Sequence, residues 1–252
     1  MTLIQSIMDL LFPPQCPFCR TPIPVSSANT EDSIPVPWDR CSVALERLVC
    51  FQCLEKMPWL VNCCPHCARP LTLAVHNCPY CLEQPFAFTY CCALASYQGA
   101  LRETLHRFKY RGEKALAVSL GRLMAARLAG MPWFSKVEML VPVPLFPQRQ
   151  RLRGYNQSVL LARTLSRELG IPAEELLLRV RDTDSQTGMG RQNRWENMRG
   201  AFEKSGRWQS KLEGKEFLLI DDILTSGATA HAAALVLKEA GASCVSVAVI
   251  AR

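Results

Sequence analysis

The stretch Phe217-Leu218-Leu219-Ile220-Asp221-Asp222-Ile223-Leu224-Thr225-Ser226-Gly227-Ala228-Thr229 places a strand, an acidic pair and an anion-sized loop side by side. An apolar run suited to a buried strand ends abruptly in two carboxylates. A loop of small hydroxyl residues and glycine then leads into an alanine-rich helical pattern over Ala230–Ala240. Open α/β sheets bind ligands at the carboxyl ends of their strands, and a helix N-terminus offers unpaired N–H groups to an anion. Gly227 lets the backbone close on that anion, Thr225, Ser226 and Thr229 can add hydroxyl donors, and Ala228 adds little bulk. Two carboxylates beside a phosphate need a different task. Asp221 and Asp222 can accept hydrogen bonds from vicinal ribose hydroxyls, or help hold a Mg²⁺ bound by those hydroxyls. A ligand with a ribose diol and a 5′-phosphate uses both halves. The plainer alternative is an acidic cap on an ordinary strand-to-helix turn.

A second chemistry precedes it. Twelve of the 13 cysteines fall before residue 93, and eight of these form pairs at one spacing: Cys16/Cys19, Cys50/Cys53, Cys64/Cys67 and Cys78/Cys81. Each pair can fold as a zinc knuckle that brings two thiolates onto one metal, and eight thiolates suffice for two closed, structural Cys₄ zinc sites. A short segment with little core of its own draws its folding energy from such metals. Sequential pairing is the simplest arrangement, and spacing also allows an interleaved one. Cys41, Cys63, Cys91 and Cys92 are left over, and His66 reads as a loop residue within a knuckle.

The elements that must position these groups follow from composition and periodicity. With 252 residues, 49% hydrophobic and 20% charged, the chain has room for one large domain or a medium one plus a small module. No apolar run is long enough to span a bilayer. Met1–Leu11 has helical apolar spacing without the basic start or cleavage site of a secretory signal, so a docking helix and a cytoplasmic protein are expected. The net charge of +7 favours an anionic partner, either a phosphorylated metabolite or nucleic acid. Ser26–Pro37 reads as a surface loop.

We expect a zinc module over residues 1–85 and a larger α/β domain over residues 86–252, with a strand within Phe86–Tyr97 leading out of the first. Helices are expected over Leu101–Gly112, Ala115–Ala129, Ser158–Leu169 and Ala230–Ala240. Strands are expected within Val137–Val143, Leu176–Val180, Phe217–Ile220 and Ser243–Ile250. Alternating strands and helices imply a mostly parallel sheet covered on both faces. Lys109-Tyr110-Arg111-Gly112 is a basic, aromatic stretch suited to single-stranded nucleic acid, and Arg149, Arg151 and Arg153 make an anion-seeking loop that is a further candidate for DNA contact, Arg151 above all. The long polar stretch Arg181–Phe202 is of the kind that is functional or disordered in a compact domain.

The Phe217–Thr229 stretch closely resembles the PRPP-binding signature of type I phosphoribosyltransferases. The chain as a whole resembles the ComF/GntX family, which joins a double zinc ribbon to a phosphoribosyltransferase-like domain. Within that family it is most similar to the enterobacterial GntX-type proteins. The resemblance is carried by the four cysteine pairs, Lys109–Gly112, Val141-Pro142-Val143-Pro144, Arg153-Gly154-Tyr155-Asn156-Gln157, Gln186 with Arg194–Asn197, Ala201-Phe202 and Asp221–Thr229. A longer insertion after Cys19 and Gly188-Met189-Gly190 depart from the usual pattern. The resemblance implies PRPP bound with Mg²⁺ at Asp221–Thr229. It also implies pyrophosphate near Val143, Pro144, Arg149 and Arg153, and a role in competence or in the use of external DNA. It leaves open whether the protein only binds these ligands, contacting single-stranded DNA and DNA-uptake proteins, or transfers the phosphoribosyl group to an acceptor.

Overall fold

A computed structural model describes residues 15–23, 48–71, 78–183 and 191–252. The expected docking helix at Met1–Leu11, the Ser26–Pro37 loop, Cys41, Gln186 and Gly188–Gly190 lie outside the described residues, and Arg191–Arg194 are described in backbone only.

The central sheet has four parallel strands: β1 (Cys91–Ala95), β2 (Met139–Pro142), β5 (Glu216–Ile223) and β6 (Cys244–Ala251), in the order β1-β6-β5-β2. Its middle strands are apolar on both faces because helices cover both. Leu218, Leu219, Ile220, Val247 and Ala248 are all fully buried, and a side chain of leucine size contributes about 1.5–3 kcal/mol on such burial. On one face lie α3 (Gly99–Tyr110), α4 (Leu116–Ala129) and α6 (Gln157–Leu169), packed through Leu101, Leu105, Leu120, Leu123, Leu161 and Leu165. On the other face α8 (Ala228–Glu239) packs through Ala233, Ala234 and Leu237. A small antiparallel pair, β3 (Leu177–Arg179) with β4 (Phe202–Lys204), flanks α7 (Arg191–Met198) on that second side. The expected parallel sheet with helical cover on both faces is therefore present.

One expected loop is a helix. Pro147–Arg153 forms α5, with Pro147 in its first turn and Gly154 at φ 79° closing its end. Proline at a helix start and a left-handed glycine just past its end are ordinary helix signals. The run of arginines hid them.

The cysteine-rich part is built twice to one plan. In each copy the N–H of the first cysteine receives its partner from a residue five positions on: Cys16 donates to Thr21 and Cys64 to Arg69, at 2.9 and 2.8 Å. Each turn passes through a residue at positive φ, Arg20 (64°) or Ala68 (54°), directly after the second cysteine. The third cysteine of each copy then caps a five-residue helix, α1 (Phe51–Glu55) after Cys50 and α2 (Pro79–Glu83) after Cys78. The first copy shares the core of α3 and α4 through Phe18, Leu48, Val49 and Leu54. The segment joining the copies and the start of the second copy cover the outer edge of β1, where Ser96 N–H donates to Pro58 and Cys91 N–H to Pro65 at 2.9 and 2.8 Å. An open strand edge invites unwanted pairing, and this cover removes it.

Candidate functional site

The acidic pair stands where two adjacent strands end. Pro142 of β2 lies opposite Ile220 of β5, and Val143 N–H donates to the Ile220 carbonyl at 3.0 Å. Val143-Pro144 and Asp221-Asp222 therefore leave the sheet side by side. Asn156 fixes the start of α6 to this edge: its side chain accepts from Ser158 N–H at 2.9 Å and donates to the Val143 carbonyl at 3.0 Å. The first turn of α6 then presents the Ser158 hydroxyl to Asp221 Oδ1 at 3.1 Å. Tyr155 completes the bracing, with its hydroxyl donating to the Phe108 carbonyl of α3. The Tyr155–Ser158 run is thus the device that ties strand, helix and carboxylate together.

Asp222 is buried and Asp221 partly so. Burial first, and then the neighbouring Asp222 charge, push the Asp221 carboxyl up to about 7. Lys109 and Ser158 act in the opposite direction. Lys109 reaches the pair from the end of α3, with Nζ 2.9 Å from Asp222 Oδ1 and side-chain exposures of 18% and 9%. Burial opposes its charge, yet Asp222 and Asp221 more than offset this and hold the ammonium above its ordinary value. Lys109 was expected on a nucleic-acid surface; the fold turns it inward to the carboxylates. Its neighbours Tyr110 and Arg111 remain exposed.

The loop after β5 carries Thr225 exposed, Ser226 and Ala228 buried, and Thr229 part-buried on the first turn of α8. Gly227 at φ 86° caps that helix, and a Cβ there would lie 2.4 Å from Phe86 Cε1. Both the backbone angle and the close approach exclude a side chain.

The arginines divide. Arg149 pairs with Asp182 at 2.8 Å and donates to the Thr183 carbonyl at 2.5 Å. Arg153 donates to Gln157 Oε1 at 2.7 Å and lies 5.2 Å from the Tyr110 ring centroid, whereas Arg151 is exposed on α5. The expected anion-seeking loop is thus a helix whose Arg149 and Arg153 already have partners. Sequence reasoning missed Arg179 on β3. Burial, and then the charge of Arg149, pull its guanidinium below the ordinary value, and its buried Nε has no hydrogen-bond partner. A lone arginine in a short strand gives no sequence signal of this. Ser158 was missed too, for nothing in its spacing points to Asp221.

The cysteines assemble into two clusters, Cys16/Cys19/Cys50/Cys53 and Cys64/Cys67/Cys78/Cys81, with the sulfurs of each within 4.8 Å of one another. This is the sequential arrangement. Zinc–sulfur bonds of about 2.3 Å set tetrahedral S–S edges near ~3.8 Å. Cys64–Cys81 and Cys67–Cys78 lie 3.7 and 3.8 Å apart, and Cys19–Cys50 3.5 Å. The thiols are also electrostatically uneven. Hydrogen bonding by Thr21 draws Cys19 down to about 6, while burial pushes Cys53 and Cys81 far up. Four thiolates ionise together only around a cation, so both clusters fit a zinc ion. Cys91 and Cys92 on β1 are buried thiols, with Cys92 pushed up to about 12 by that burial.

Comparison with known proteins agrees with this architecture. The sequence model of the Phosphoribosyl transferase domain matches residues 156–252, from the Asn156 cap through the acidic pair. "DNA utilization protein YhgH" of Salmonella typhi is 29% identical over 245 residues, covering 94% of this chain and 96% of that protein. "Competence protein F" of Haemophilus influenzae is 30% identical over 196 residues, 76% of this chain and 83% of that protein. "Competence protein ComFC" of Bacillus subtilis is 31% identical over 206 residues, 77% of this chain and 79% of that protein. With cysteine clusters, parallel sheet and phosphoribosyl transferase domain in one order, the chain belongs to the ComF family that these competence and DNA-utilisation proteins represent.

Proposed function

We propose that this is a PRPP-binding protein of DNA uptake or utilisation, acting in the cytoplasm, with a double zinc ribbon over residues 1–85 and a phosphoribosyltransferase-like domain over residues 86–252. The observation that carries the reading is the juxtaposition of Asp221-Asp222, the Thr225–Thr229 loop and Val143-Pro144 at the ends of β5 and β2. Asp221 and Asp222 hold the ribose diol, with Mg²⁺ entering on the ligand. The Thr225–Thr229 loop takes the 5′-phosphate. The pyrophosphate lies toward Val143, Pro144, Arg149 and Arg179, with Arg153 bracing Gln157 nearby. Arg179, crowded by Arg149 and unpartnered at Nε, is the kind of group that a polyanion relieves.

Single-stranded DNA, in this reading, meets the outer face of α3. Arg102, His106 and Tyr110 recur every four residues along it and are all exposed, with the His106 and Tyr110 rings 4.9 Å apart. Arg111 joins Arg102 and His106 around a depression of about 660 Å³, and Arg151 lies exposed beyond Arg153. Rings on which bases stack, set among guanidinium groups, are the ordinary means of holding a single strand. Lys109 and Tyr110 are consecutive, so one helix end borders both regions.

Two measurements test this. PRPP, ribose 5-phosphate and pyrophosphate are compared for protection against thermal unfolding; PRPP at a hundred times its Kd should add about 2.7 kcal/mol and exceed both fragments. An oligonucleotide should bind with affinity falling steeply as salt rises, and Tyr110→Ala/Arg111→Ala should weaken it at constant fold. Absent protection, or salt-independent binding, contradicts the corresponding half. The second reading, transfer of ribose 5-phosphate to an acceptor, is favoured by the same intact acid pair and loop. Pyrophosphate release from PRPP in the presence of an acceptor panel decides it.

A further inference from the structure

The loop that would carry the 5′-phosphate is held from behind, and one holder belongs to the second cysteine cluster. Tyr80 lies between Cys78 and Cys81 on α2, and its hydroxyl donates to the Ser226 carbonyl at 2.7 Å in a buried contact spanning 146 positions of sequence. Tyr80 is itself pinned. The Arg69 guanidinium lies 3.7 Å from its ring centroid, and Arg69 belongs to the opposing knuckle, where its carbonyl accepts from Cys64 N–H. Phe86 packs beside Tyr80 at 5.9 Å between centroids and fills the space under Gly227. The two carbonyls preceding Ser226, those of Leu224 and Thr225, accept from the Arg252 guanidinium at 2.9 and 2.5 Å.

Across a planar trans peptide the carbonyl and the following N–H point in opposite directions. Drawing the carbonyls of Leu224, Thr225 and Ser226 onto Arg252 and Tyr80 therefore turns the N–H groups of Thr225, Ser226 and Gly227 away from those donors. We propose that Tyr80 is a positioning residue for the phosphate loop, and that the second Cys₄ site, by fixing α2 and the Arg69 knuckle around Tyr80, couples metal occupancy to ligand affinity. The affinity half rests on the phosphoribosyl reading of Asp221–Thr229; the ordering of the loop does not. The first cluster faces elsewhere. Its Pro17 carbonyl accepts from Thr104 at 3.2 Å and from Arg107 of α3, so its direct bracing goes to α3 and not to the Thr225–Thr229 loop.

The test uses the full zinc-loaded chain. Tyr80→Phe removes one hydroxyl and keeps the ring under Arg69 and beside Phe86. Thr104→Val removes the matching hydroxyl at the first cluster. Three quantities are read: zinc per chain, amide hydrogen exchange over residues 224–231, and PRPP affinity by calorimetry. Expected for Tyr80→Phe are unchanged zinc, exchange at Thr225–Gly227 faster by about tenfold, and PRPP affinity lower by about five- to tenfold, the scale of one buried hydrogen bond. Thr104→Val leaves all three at wild-type values. Wild-type exchange in Tyr80→Phe overturns the positioning role, and faster exchange at unchanged PRPP affinity overturns the coupling. Should the wild type bind no PRPP, the phosphoribosyl reading fails separately, and the exchange comparison still decides whether Tyr80 orders the loop.

Discussion

At the residue scale the acidic pair and Lys109 form a small charged cluster with opposing tendencies. Asp221 carries a folded-state value of about 7 against an ordinary 3.8, raised by burial and by Asp222. A carboxyl raised in this way stabilises the fold while it is protonated, and that contribution is lost as pH rises from about 4 through about 7. Asp221→Asn should therefore unfold at higher temperature than wild type at pH 8 without ligand, by about 2–4 °C for each kcal/mol recovered. The gap should close toward pH 5. Comparing the two proteins cancels the zinc sites' own pH dependence, and a gap that is constant or widens on acidification contradicts the assignment. Lys109→Met removes the only ion-pair partner recorded for Asp222 among the described residues. Breaking a buried pair costs about 3–5 kcal/mol, and the partial exposure of this one places it at the lower end. Adding Asp222→Asn should return most of that loss. Melting temperatures of the two single variants and the double variant give the coupling energy.

At the element scale the βα turn depends on Gly227. Its φ of 86° and the Phe86 ring 2.4 Å from a built Cβ predict that Gly227→Ala lowers PRPP affinity by more than tenfold. The left-handed backbone adds a stability cost of about 1–2 kcal/mol. Circular dichroism and calorimetry together check this. Unaltered binding would mean that the loop does not grip the phosphate. Much of this level was legible in the sequence. The run from Phe217 to Thr229 declares strand, acids, loop and helix within one turn of chain, because each depends on local propensity and spacing. The cysteine knuckles were legible for the same reason, since each is closed within five residues, whereas the choice of the sequential over the interleaved pairing depends on the fold. Two differences between the sequence reading and the structure share a physical origin. The arginines of Pro147–Arg153 suggested an open loop, although proline at the helix start and Gly154 after it are helix-end signals. Lys109 looked like its exposed neighbours, and only the packing of α3 on the sheet decides that position 109 faces inward while 110 faces out. Tyr80 on Ser226, Ser158 on Asp221 and Arg179 beside Arg149 depend on contacts that no local pattern encodes.

At the scale of the whole molecule the ribbons are part of the body that carries the site. One shares the core of α3 and α4, their connecting segment seals the edge of β1, and the other touches the Thr225–Thr229 loop. We expect two zinc ions per chain by elemental analysis, with Cys16→Ser and Cys64→Ser each losing one. Cys16→Ser should chiefly loosen α3, whereas Cys64→Ser should loosen the loop at 225–227; hydrogen exchange distinguishes these outcomes. A metal-free wild type with an unchanged melting temperature contradicts a structural role for the clusters.

The central claim is that the ends of β5 and β2 form a phosphoribosyl site. Its most direct test is calorimetric titration of PRPP with Mg²⁺ into the zinc-loaded chain, beside Asp221→Asn/Asp222→Asn. One saturable site per chain, weakened at least tenfold in the variant, is the result predicted here. Equal binding by both proteins, or none by the wild type, would contradict it.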